Sequence, residues 1–258
     1  MIDVLRSPGL AARGVIHGFS TRRGGVSTGV YAGLNLSSGW GDDGDAVSEN
    51  RRRFAAAVGY APARLYTARQ VHGTEVIDAD DPPAPGPDGR PHADALLTRA
   101  RAVGVYTADC VPILLHAEGA VCAVHAGWRG AAAGIVTRAA AALAAHAGAA
   151  PGALHAAIGP SIGPCCFEVG PEVVAAFAAR HAEPLARPGK RASPHLDLWR
   201  AVRLDLERAG VVSIDAAGGA AEPPCTMCDS DRFYSFRRDG RGGQQLSVIA
   251  IDSAPAAD

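Results

Sequence analysis

The sequence predicts a mixed α/β sheet within one domain that spans residues 1–258. Segments with the apolar pattern of strands outnumber the helical segments, and turns of hairpin length join several of them. Apolar residues make up 48% of the chain, which is enough for a sizeable core. No internal repeat is found. The excess of strands and the short turns between them favour a mixed sheet over strictly alternating βαβ units.

The elements follow, in chain order, from the apolar runs and from the residues that end them. Gly59 and Gly210 are placed to end two helices, and Pro171 takes the favoured first position of another. Five prolines and two glycines make residues 80–91 an exposed loop. The predicted strands and extended segments are 14–20, 64–71, 75–78, 94–98, 102–107, 111–115, 121–124, 153–158, 211–214 and 246–251. The predicted helices are 46–58, 131–147, 171–182 and 197–209.

Charge and apolar patterning exclude several classes of function. The net charge of −1 argues against general binding of nucleic acid or of an anionic membrane surface. No apolar run reaches the roughly 18 residues of a membrane helix, and no segment has the pattern of a signal peptide. We therefore expect a cytoplasmic enzyme. Its six cysteines are then thiols or metal ligands rather than disulfides.

Chemistry concentrates in the stretch from Thr107 to Gly130. Two β-rich runs separated by a glycine turn predict a hairpin, which brings its outer ends together. Cys110 and His125 occupy those ends and should be neighbours. A cysteine beside a histidine is either a pair of metal ligands or an activated nucleophile with its base.

His72 completes a candidate metal centre. Like Cys110 and His125, it follows an apolar strand and lies at a turn of small residues. Two histidines and one cysteine can bind Zn²⁺ and leave a fourth position for water or substrate. The alternative is that all three are packed or capped without a ligand. Asp109 is a candidate general base, a carboxylate that orients a ligand histidine, or a turn cap.

Arginines supply candidate anion sites. Arg22 lies in a loop with two glycines, where backbone N–H groups and a guanidinium can meet an anion. Arg129 directly precedes a predicted helix and can bind a phosphate or carboxylate together with the helix N-terminus. The alternative for each is an ordinary surface side chain.

The remaining cysteines suggest no single role. Cys165 and Cys166 are adjacent, so in an extended chain one should face the site and the other the core. For Cys225 and Cys228 there are three alternatives: they line the candidate metal site, form a labile thiol pair, or only pack in the core. A nucleobase deaminase pattern needs H-x-E and P-C-x-x-C, and the chain has both pieces. However, the first piece, 116–118, falls in the hairpin turn, so this interpretation is disfavoured.

Seven segments together identify a resemblance that covers roughly Val15 to Ile251. They are RQVHG, ADALLT, TADCVPILL, AVHAGWRG, AAIGPSIGPCCFEVG, DLWRA and CTMCDSDRFYSFRRDG. The chain resembles the laccase-domain (YfiH-like) family, long labelled multicopper polyphenol oxidase and now described as purine nucleoside phosphorylases. The resemblance implies a single-domain α/β/β sandwich related in fold to cysteine-deamidase toxins. It also implies that His72, Cys110 and His125 are zinc ligands.

The same resemblance implies the reactions and partners. Phosphorolysis would convert adenosine, inosine or methylthioadenosine to the free base and a sugar 1-phosphate, and adenosine would also be deaminated to inosine. The partners would be nucleosides and phosphate, with a monomer or small homo-oligomer acting on them. We expect Arg22, Arg51 and Arg129 to hold phosphate, Asp109 to shuttle the proton, and the metal to be zinc, with copper possible.

Two positions depart from the family pattern. Members commonly have an arginine where this chain has Gln244, and Arg241 is the candidate substitute. Relatives often carry an aromatic residue or histidine at the position of Met227. Both departures bear on substrate preference more than on reaction class.

Three other functions compete with phosphorolysis. One is copper-dependent oxidation of phenols, although the nine histidines do not supply the pairs of a trinuclear cluster. Another is a cysteine hydrolase or amidase that edits peptidoglycan precursors, with Cys110 as nucleophile and His125 as base. The last is a partner-binding role without catalysis.

Overall fold

Thirteen strands and seven helices make up the computed structural model, which describes residues 1–86, 88–189 and 193–251. Within those residues the strands are β1 (Val4–Leu5), β2 (Ile16–Ser20), β3 (Leu65–Tyr66), β4 (Val76–Asp78), β5 (Ala95–Thr98), β6 (Ala102–Thr107), β7 (Val111–Ala117), β8 (Ala120–Ala126), β9 (His155–Ile158), β10 (Ala186–Arg187), β11 (His195–Leu196), β12 (Ser213–Ala216) and β13 (Gln245–Ala250). The helices are α1 (Pro8–Ala12), α2 (Gly44–Val58), α3 (Trp128–Ala133), α4 (Ile135–Ala147), α5 (Pro171–Ala178), α6 (Leu198–Arg208) and α7 (Phe236–Asp239).

Two mixed sheets stack on each other. One has the strand order β1-β2-β13-β6-β3, and the other has the order β12-β9-β7-β8-β5-β4. Phe19, Val103 and Ile249 of the first sheet meet Leu114 and Ala123 of the second in a fully buried core. The central strands of each sheet therefore bury one face against the other sheet.

The central hairpin is buried on both faces. Along β7, Leu114 points toward the other sheet, whereas Ile113 and Leu115 point toward the helices. This alternation follows from the period of two along a strand, and burial of both faces explains why β7 is apolar from Val111 to Leu115. The predicted hairpin is confirmed, and both of its strands extend further toward the turn than the sequence indicated.

Helices cover the outer faces of both sheets. Leu143 of α4 and Val202 of α6 pack on the six-stranded sheet. Phe54 and Val58 of α2 pack on the five-stranded sheet. The predicted mixed α/β/β sandwich is thus confirmed, with α2 forming an additional layer.

Several predicted boundaries were wrong. The strand predicted at 64–71 ends at Tyr66, because the Gln70 side-chain amide, rather than further backbone, pairs with Tyr106 of β6. The helix predicted at 131–147 begins at Trp128 and is divided by Gly134, whose φ of 92° ends α3. Helix α5 stops at Ala178 rather than at residue 182.

One further predicted strand is displaced in the structure, and one predicted loop lies partly outside the described residues. The predicted strand 211–214 is displaced to 213–216. The predicted loop 80–91 includes residue 87, which lies outside the described residues. Among the helices in the described ranges, none combines the length and apolar character needed to cross a bilayer.

Candidate active site

The two ends of the β7–β8 hairpin meet at one edge of the sandwich. Pro112 pairs with His125, so Cys110, two residues earlier, lies beside this histidine. His72 arrives from the loop between β3 and β4. One donor atom each from His72, Cys110 and His125 lies within 4.8 Å of the others. The structure therefore brings the predicted triad together as a set that is able to hold a metal ion.

A buried carboxylate that the sequence did not single out orients both histidines. Asp94 Oδ1 accepts hydrogen bonds from His125 Nδ1 at 2.7 Å and from the backbone N–H of His72 at 3.0 Å. Its Oδ2 accepts from the N–H groups of Val71 and Gly73 at 3.2 and 2.7 Å. A carboxylate bonded to the second nitrogen of a ligand histidine is a recurrent support of metal sites. Asp94 thus has the orienting role that was among those considered for Asp109.

Cys110 and Asp94 both favour a positive charge on or beside His125. Burial by itself would lower the pKa of His125, but Cys110 and Asp94 outweigh burial and raise the pKa to about 9. Burial and the nearby His125 lower the pKa of His72 below its ordinary value. A divalent cation would satisfy Cys110 and His125 in place of that proton, because ligand thiols and imidazoles bind metals in their deprotonated forms.

The backbone is strained at this site. Among the described residues, His72 and Asp109 are the non-glycine residues with positive φ, at 59° and 92°. Such conformations persist where the surroundings hold them, and they cluster at functional sites. The His72 turn is held by the amide hydrogen bonds to Asp94. Asp109 is held through its side chain, which accepts hydrogen bonds from Thr226 Oγ1 and the Arg237 N–H, each at 2.7 Å.

Gly127 leaves room for the triad. A Cβ at this position would lie 2.3 Å from His72 Nδ1 and 3.2 Å from Cys110 Sγ. Any side chain here would displace His72, so glycine follows from close packing against the candidate ligands. This close approach is an independent indication that the three donors are built into a confined site.

The triad and Asp109 line a cavity of about 810 Å³, a size typical of small-molecule sites. Its walls combine aromatic rings with arginines. The aromatic lining residues are Trp40, Tyr106, Trp128, Phe167 and Phe236. The arginines are Arg69, Arg90, Arg129 and Arg237. The cavity is therefore suited to a ligand with one flat apolar part and one anionic part.

The three arginines predicted to hold phosphate have different positions. Arg129 lines the cavity, with its guanidinium 4.3 Å from the centre of the Trp128 ring. Arg22 is not a lining residue; it donates to the Ala32 carbonyl oxygen at 3.1 Å. Arg51 does not line the cavity either, but it donates to the Tyr106 hydroxyl at 3.0 Å. Direct phosphate contact therefore fits Arg129 and is not supported by the positions of the other two.

Sequence reasoning missed the other arginines of the cavity. Arg69 precedes His72 in the loop between β3 and β4, Arg90 lies in the proline-rich loop, and Arg237 is the second residue of α7, where its guanidinium lies 5.5 Å from the Phe167 ring. The R-x-x-H spacing of Arg69 and His72 was the available signal. Arg241, the expected substitute for an arginine at Gln244, does not line the cavity, whereas Gln244 itself does.

The late cysteine loop lies beside the cavity without lining it. Met227, expected to influence substrate preference, packs against the hydrophobic core and is not a lining residue. The adjacent Cys165 and Cys166 were expected to point apart, and this was wrong. The chain turns at residues 164–166 instead of running extended, so both thiols reach Cys228, at 3.5 and 3.3 Å.

The pieces of the deaminase pattern are also separated in space. His116 lies near the hairpin turn and pairs with His155 of β9, whereas Cys225 forms a bridge with Ser161, six residues further along the chain. At about 3.3 Å per residue of extended chain, the two pieces lie roughly 20 Å apart. The structure thus agrees with excluding this pattern as a metal site.

These features define an α/β protein with a candidate metal centre. Two stacked sheets covered by helices bring a His-His-Cys set together at one edge, where it lines a cavity. Residues 16–252 match the family model described as multi-copper polyphenol oxidoreductase laccase. The chain therefore belongs to the laccase-domain family, which confirms the resemblance.

Relatives agree with this assignment over nearly their full length. The purine nucleoside phosphorylase of Deinococcus radiodurans is 41% identical over 257 residues, covering 97% of this chain and 93% of the relative. Escherichia coli purine nucleoside phosphorylase YfiH is 38% identical over 240 residues, covering 92% and 94%. The crystal structure of YlmD from Geobacillus stearothermophilus superposes with a TM-score of 0.85 at 34% identity, covering 95% and 94%.

Proposed function

We propose that this protein is a zinc-dependent purine nucleoside phosphorylase. It would use inorganic phosphate to cleave adenosine, inosine or methylthioadenosine into the free base and the sugar 1-phosphate. The observation that carries the proposal is one cavity that holds the His72, Cys110 and His125 donors together with aromatic rings and arginines. The names of the curated relatives support the same substrate class.

The cavity walls match the two substrates. A purine can stack on the aromatic rings, since flat ring systems favour offset or edge-on contact. Phosphate can be held by guanidinium groups, whose paired donors fit its oxygens. Arg129 is the leading candidate, because its place over Trp128 puts a phosphate-binding group beside a stacking platform. Arg69 is less available, since it forms an ion pair with Asp88 at 2.8 Å.

The donor set suits zinc. Two imidazoles and one thiolate are a ligand combination of catalytic zinc sites, which keep a fourth position open. A zinc ion here would supply Lewis acidity, stabilising negative charge on a reacting group and lowering the pKa of a bound water. Asp94 would hold His125 and the His72 turn in register for this ion.

Asp109 is the proposed proton-handling group. In phosphorolysis a phosphate oxygen forms a bond to C1′ while the bond from C1′ to the purine nitrogen breaks. The purine leaves with the electron pair and must gain a proton. Asp109 lines the cavity next to Cys110, and Thr226 and the Arg237 amide fix the orientation of its carboxylate. Hydrolytic deamination of adenosine to inosine is the proposed second activity, since it needs the same cavity, an activated water and a proton carrier.

A cysteine hydrolase or amidase acting on peptidoglycan precursors is the second candidate function. The observation that favours it is the hydrogen-bonded contact between Cys110 and His125, with the pKa of His125 raised to about 9 by the thiol and Asp94 against the opposing effect of burial. A thiol hydrogen-bonded to an imidazole is the arrangement of a cysteine nucleophile with its general base. In this function Cys110 attacks the substrate and no metal is needed.

Copper-dependent phenol oxidation is less well supported. Within the described residues, the other candidate group of metal ligands consists of four cysteines and contains no histidine. A multicopper oxidase needs several histidine-rich sites. Whichever of these reactions it catalyses, we expect the protein to act in the cytoplasm, as a monomer or small homo-oligomer.

The test is incubation of zinc-loaded protein with adenosine, with and without phosphate, followed by chromatography and mass analysis of the products. His72→Ala, prepared in parallel, controls for contaminating enzymes. Adenine that forms only with phosphate and only with the unmodified protein supports phosphorolysis at the triad. Inosine in both buffers supports deamination. No product from either reaction overturns the proposal, and hydrolysis of cell-wall peptides that resists chelation but not thiol alkylation establishes the cysteine hydrolase.

A further inference from the structure

Four of the six cysteines converge at a second place in the fold. The sulfur atoms of Cys165, Cys166, Cys225 and Cys228, called here the four-cysteine cluster, all lie within 4.8 Å of one another. They come from two loops, one after β9 and one before α7. None of the four lines the cavity that holds the triad. This arrangement is therefore a separate feature that the proposed reaction does not use.

Local backbone geometry directs the four thiols inward. The turn at residues 164–166 places two adjacent cysteines on the same side of the chain. The other pair has the C-x-x-C spacing of metal-binding loops. Cys225 Sγ accepts hydrogen bonds from the backbone N–H groups of Gly163, at 3.2 Å, and of Cys228. Amide donors aimed at a sulfur stabilise a thiolate, which is the form that binds metal.

We propose that the four-cysteine cluster is a zinc site with four thiolate ligands, distinct from the triad. Zinc–sulfur bonds of about 2.3 Å in a tetrahedron place the sulfurs about 3.8 Å apart. The observed separations of 3.3 and 3.5 Å to Cys228, with all four within 4.8 Å, bracket this value. Binding would release the thiol protons and form four Zn–S bonds, with no change of oxidation state.

A disulfide accounts less well for the same geometry. Cys228 lies close to both Cys165 and Cys166, so no single pair is favoured. A disulfide also occupies only two sulfurs, whereas a tetrahedral ion uses all four. Because a full set of four protein ligands leaves no open position, the class of site is structural rather than catalytic.

The cluster would brace one wall of the cavity. Ser161 and Cys225 form a bridge between the two loops, and the Thr226 N–H donates to the Ser161 carbonyl at 3.0 Å. Thr226 also donates its hydroxyl to Asp109, which lines the cavity. A zinc ion joining these loops would therefore stabilise the position of Thr226, whose hydroxyl holds the Asp109 carboxylate. This metal site does not depend on the phosphorylase function proposed above.

Metal content tests the site directly. Protein purified under reducing conditions is loaded with zinc, freed of excess ion, and analysed for zinc per chain. We expect two ions in the unmodified protein and one in Cys165→Ser/Cys228→Ser. His72→Ala should also lose one ion, from the triad. Cys122→Ala is the matched control, because this buried cysteine belongs to neither group and should leave both ions in place.

A spectroscopic measurement keeps the test independent of how the double variant folds. X-ray absorption at the zinc edge is recorded on zinc-loaded His72→Ala, in which the cluster is intact. Four sulfur ligands around the remaining zinc support the proposal. Histidine nitrogen in that shell, no remaining zinc, or equal zinc content in the unmodified protein and the double cysteine variant would each overturn it. Unmodified protein that holds zinc at the cluster but takes up none at the triad would leave this site standing and count against the phosphorylase proposal.

Discussion

The triad and the four-cysteine cluster lie close together in the fold but are built in opposite ways. The triad offers three donors of two kinds, lines the cavity, and depends on the buried Asp94 for its orientation. The cluster offers four donors of one kind, lies outside that cavity, and is oriented by backbone amides. Three protein ligands leave a metal an open position for chemistry, whereas four close it.

This difference also concerns how each site would respond to change. The triad combines buried, charged and strained groups, so a single substitution there disturbs an electrostatic balance as well as a ligand. The cluster is made of surface loops, with Cys165 and Cys228 exposed. We therefore expect changes in the triad to affect activity and changes in the cluster to affect stability.

Removal of a triad ligand should have the largest effect. Cys110→Ala is expected to lose the triad metal and to lower kcat/KM for adenosine phosphorolysis by about a hundredfold to a thousandfold, as when a group that stabilises developing charge is removed. Zinc analysis and a coupled assay of free base measure both effects. Cys122→Ala, a change of the same kind in a buried strand, should keep the metal and the activity. Full phosphorolysis by Cys110→Ala would refute the role of the triad.

Removal of the Asp94 carboxylate, which orients the histidines, should have the next largest effect. Asp94→Asn keeps the size of the side chain but removes the charge that holds His125 and the His72 turn. Changes of this kind typically cost about tenfold to a hundredfold in metal affinity or activity. Competition with a chromophoric chelator measures the zinc affinity.

The matched control for this change is Asp215→Asn. Asp215 contacts His155 at 3.2 Å, in a histidine–carboxylate pair outside the cavity. Its substitution should leave zinc affinity unchanged. Equal affinities for all three proteins would show that Asp94 is not needed to orient the triad.

Arginine substitutions sharpen the comparison between cavity and surface. Arg129→Ala is expected to raise the KM for phosphate by about tenfold to a hundredfold, since hydrogen bonds to charged groups contribute about 1.5–3 kcal/mol. Arg22→Ala should leave that KM unchanged, because its guanidinium binds carbonyl oxygens away from the cavity. Initial rates at varied phosphate concentration distinguish the two. If Arg22→Ala raised the KM for phosphate more than Arg129→Ala, phosphate would instead bind at the loop with two glycines that contains Arg22.

Disruption of the cluster should have the smallest effect on catalysis. Cys165→Ser/Cys228→Ser is expected to lower the Tm by about 5–10 °C, because a metal that binds the folded state contributes to stability. The kcat/KM should stay within about threefold of the unmodified protein, since the cluster does not line the cavity and the hydrogen bonds from Ser161 through Thr226 to Asp109 do not involve the cysteine side chains. Calorimetry with and without a chelator measures the stability. An unchanged Tm together with a large loss of activity would reverse the roles assigned to the two regions.

Local sequence was sufficient for part of the site and insufficient for the rest. The neighbourhood of Cys110 and His125 could be predicted because both lie at the ends of one hairpin, whose pairing is set by a short turn. Asp94 could not be found in this way. Its contact with His125 depends on β5 pairing with β8, which are distant in sequence.

At Cys165 and Cys166 a local rule was applied and gave the wrong result. Alternation along an extended chain predicted that Cys165 and Cys166 point apart, but a turn places both beside Cys228. The arginines show a third case, since composition alone does not distinguish Arg129 in the cavity from Arg22 bound to carbonyl oxygens. The domain boundaries and the oligomeric state remain predictions.

By itself, the sequence determined the mixed α/β class, the hairpin, the candidate ligands and the family. These follow from periodic apolar runs, short turns and motifs, all of which act over a few residues. Only the tertiary structure decided which carboxylate supports the histidines, which arginines line the cavity, and how four cysteines converge. Those relations join loops from different sheets, and their free energy comes from burial and hydrogen bonds between segments that are distant along the chain.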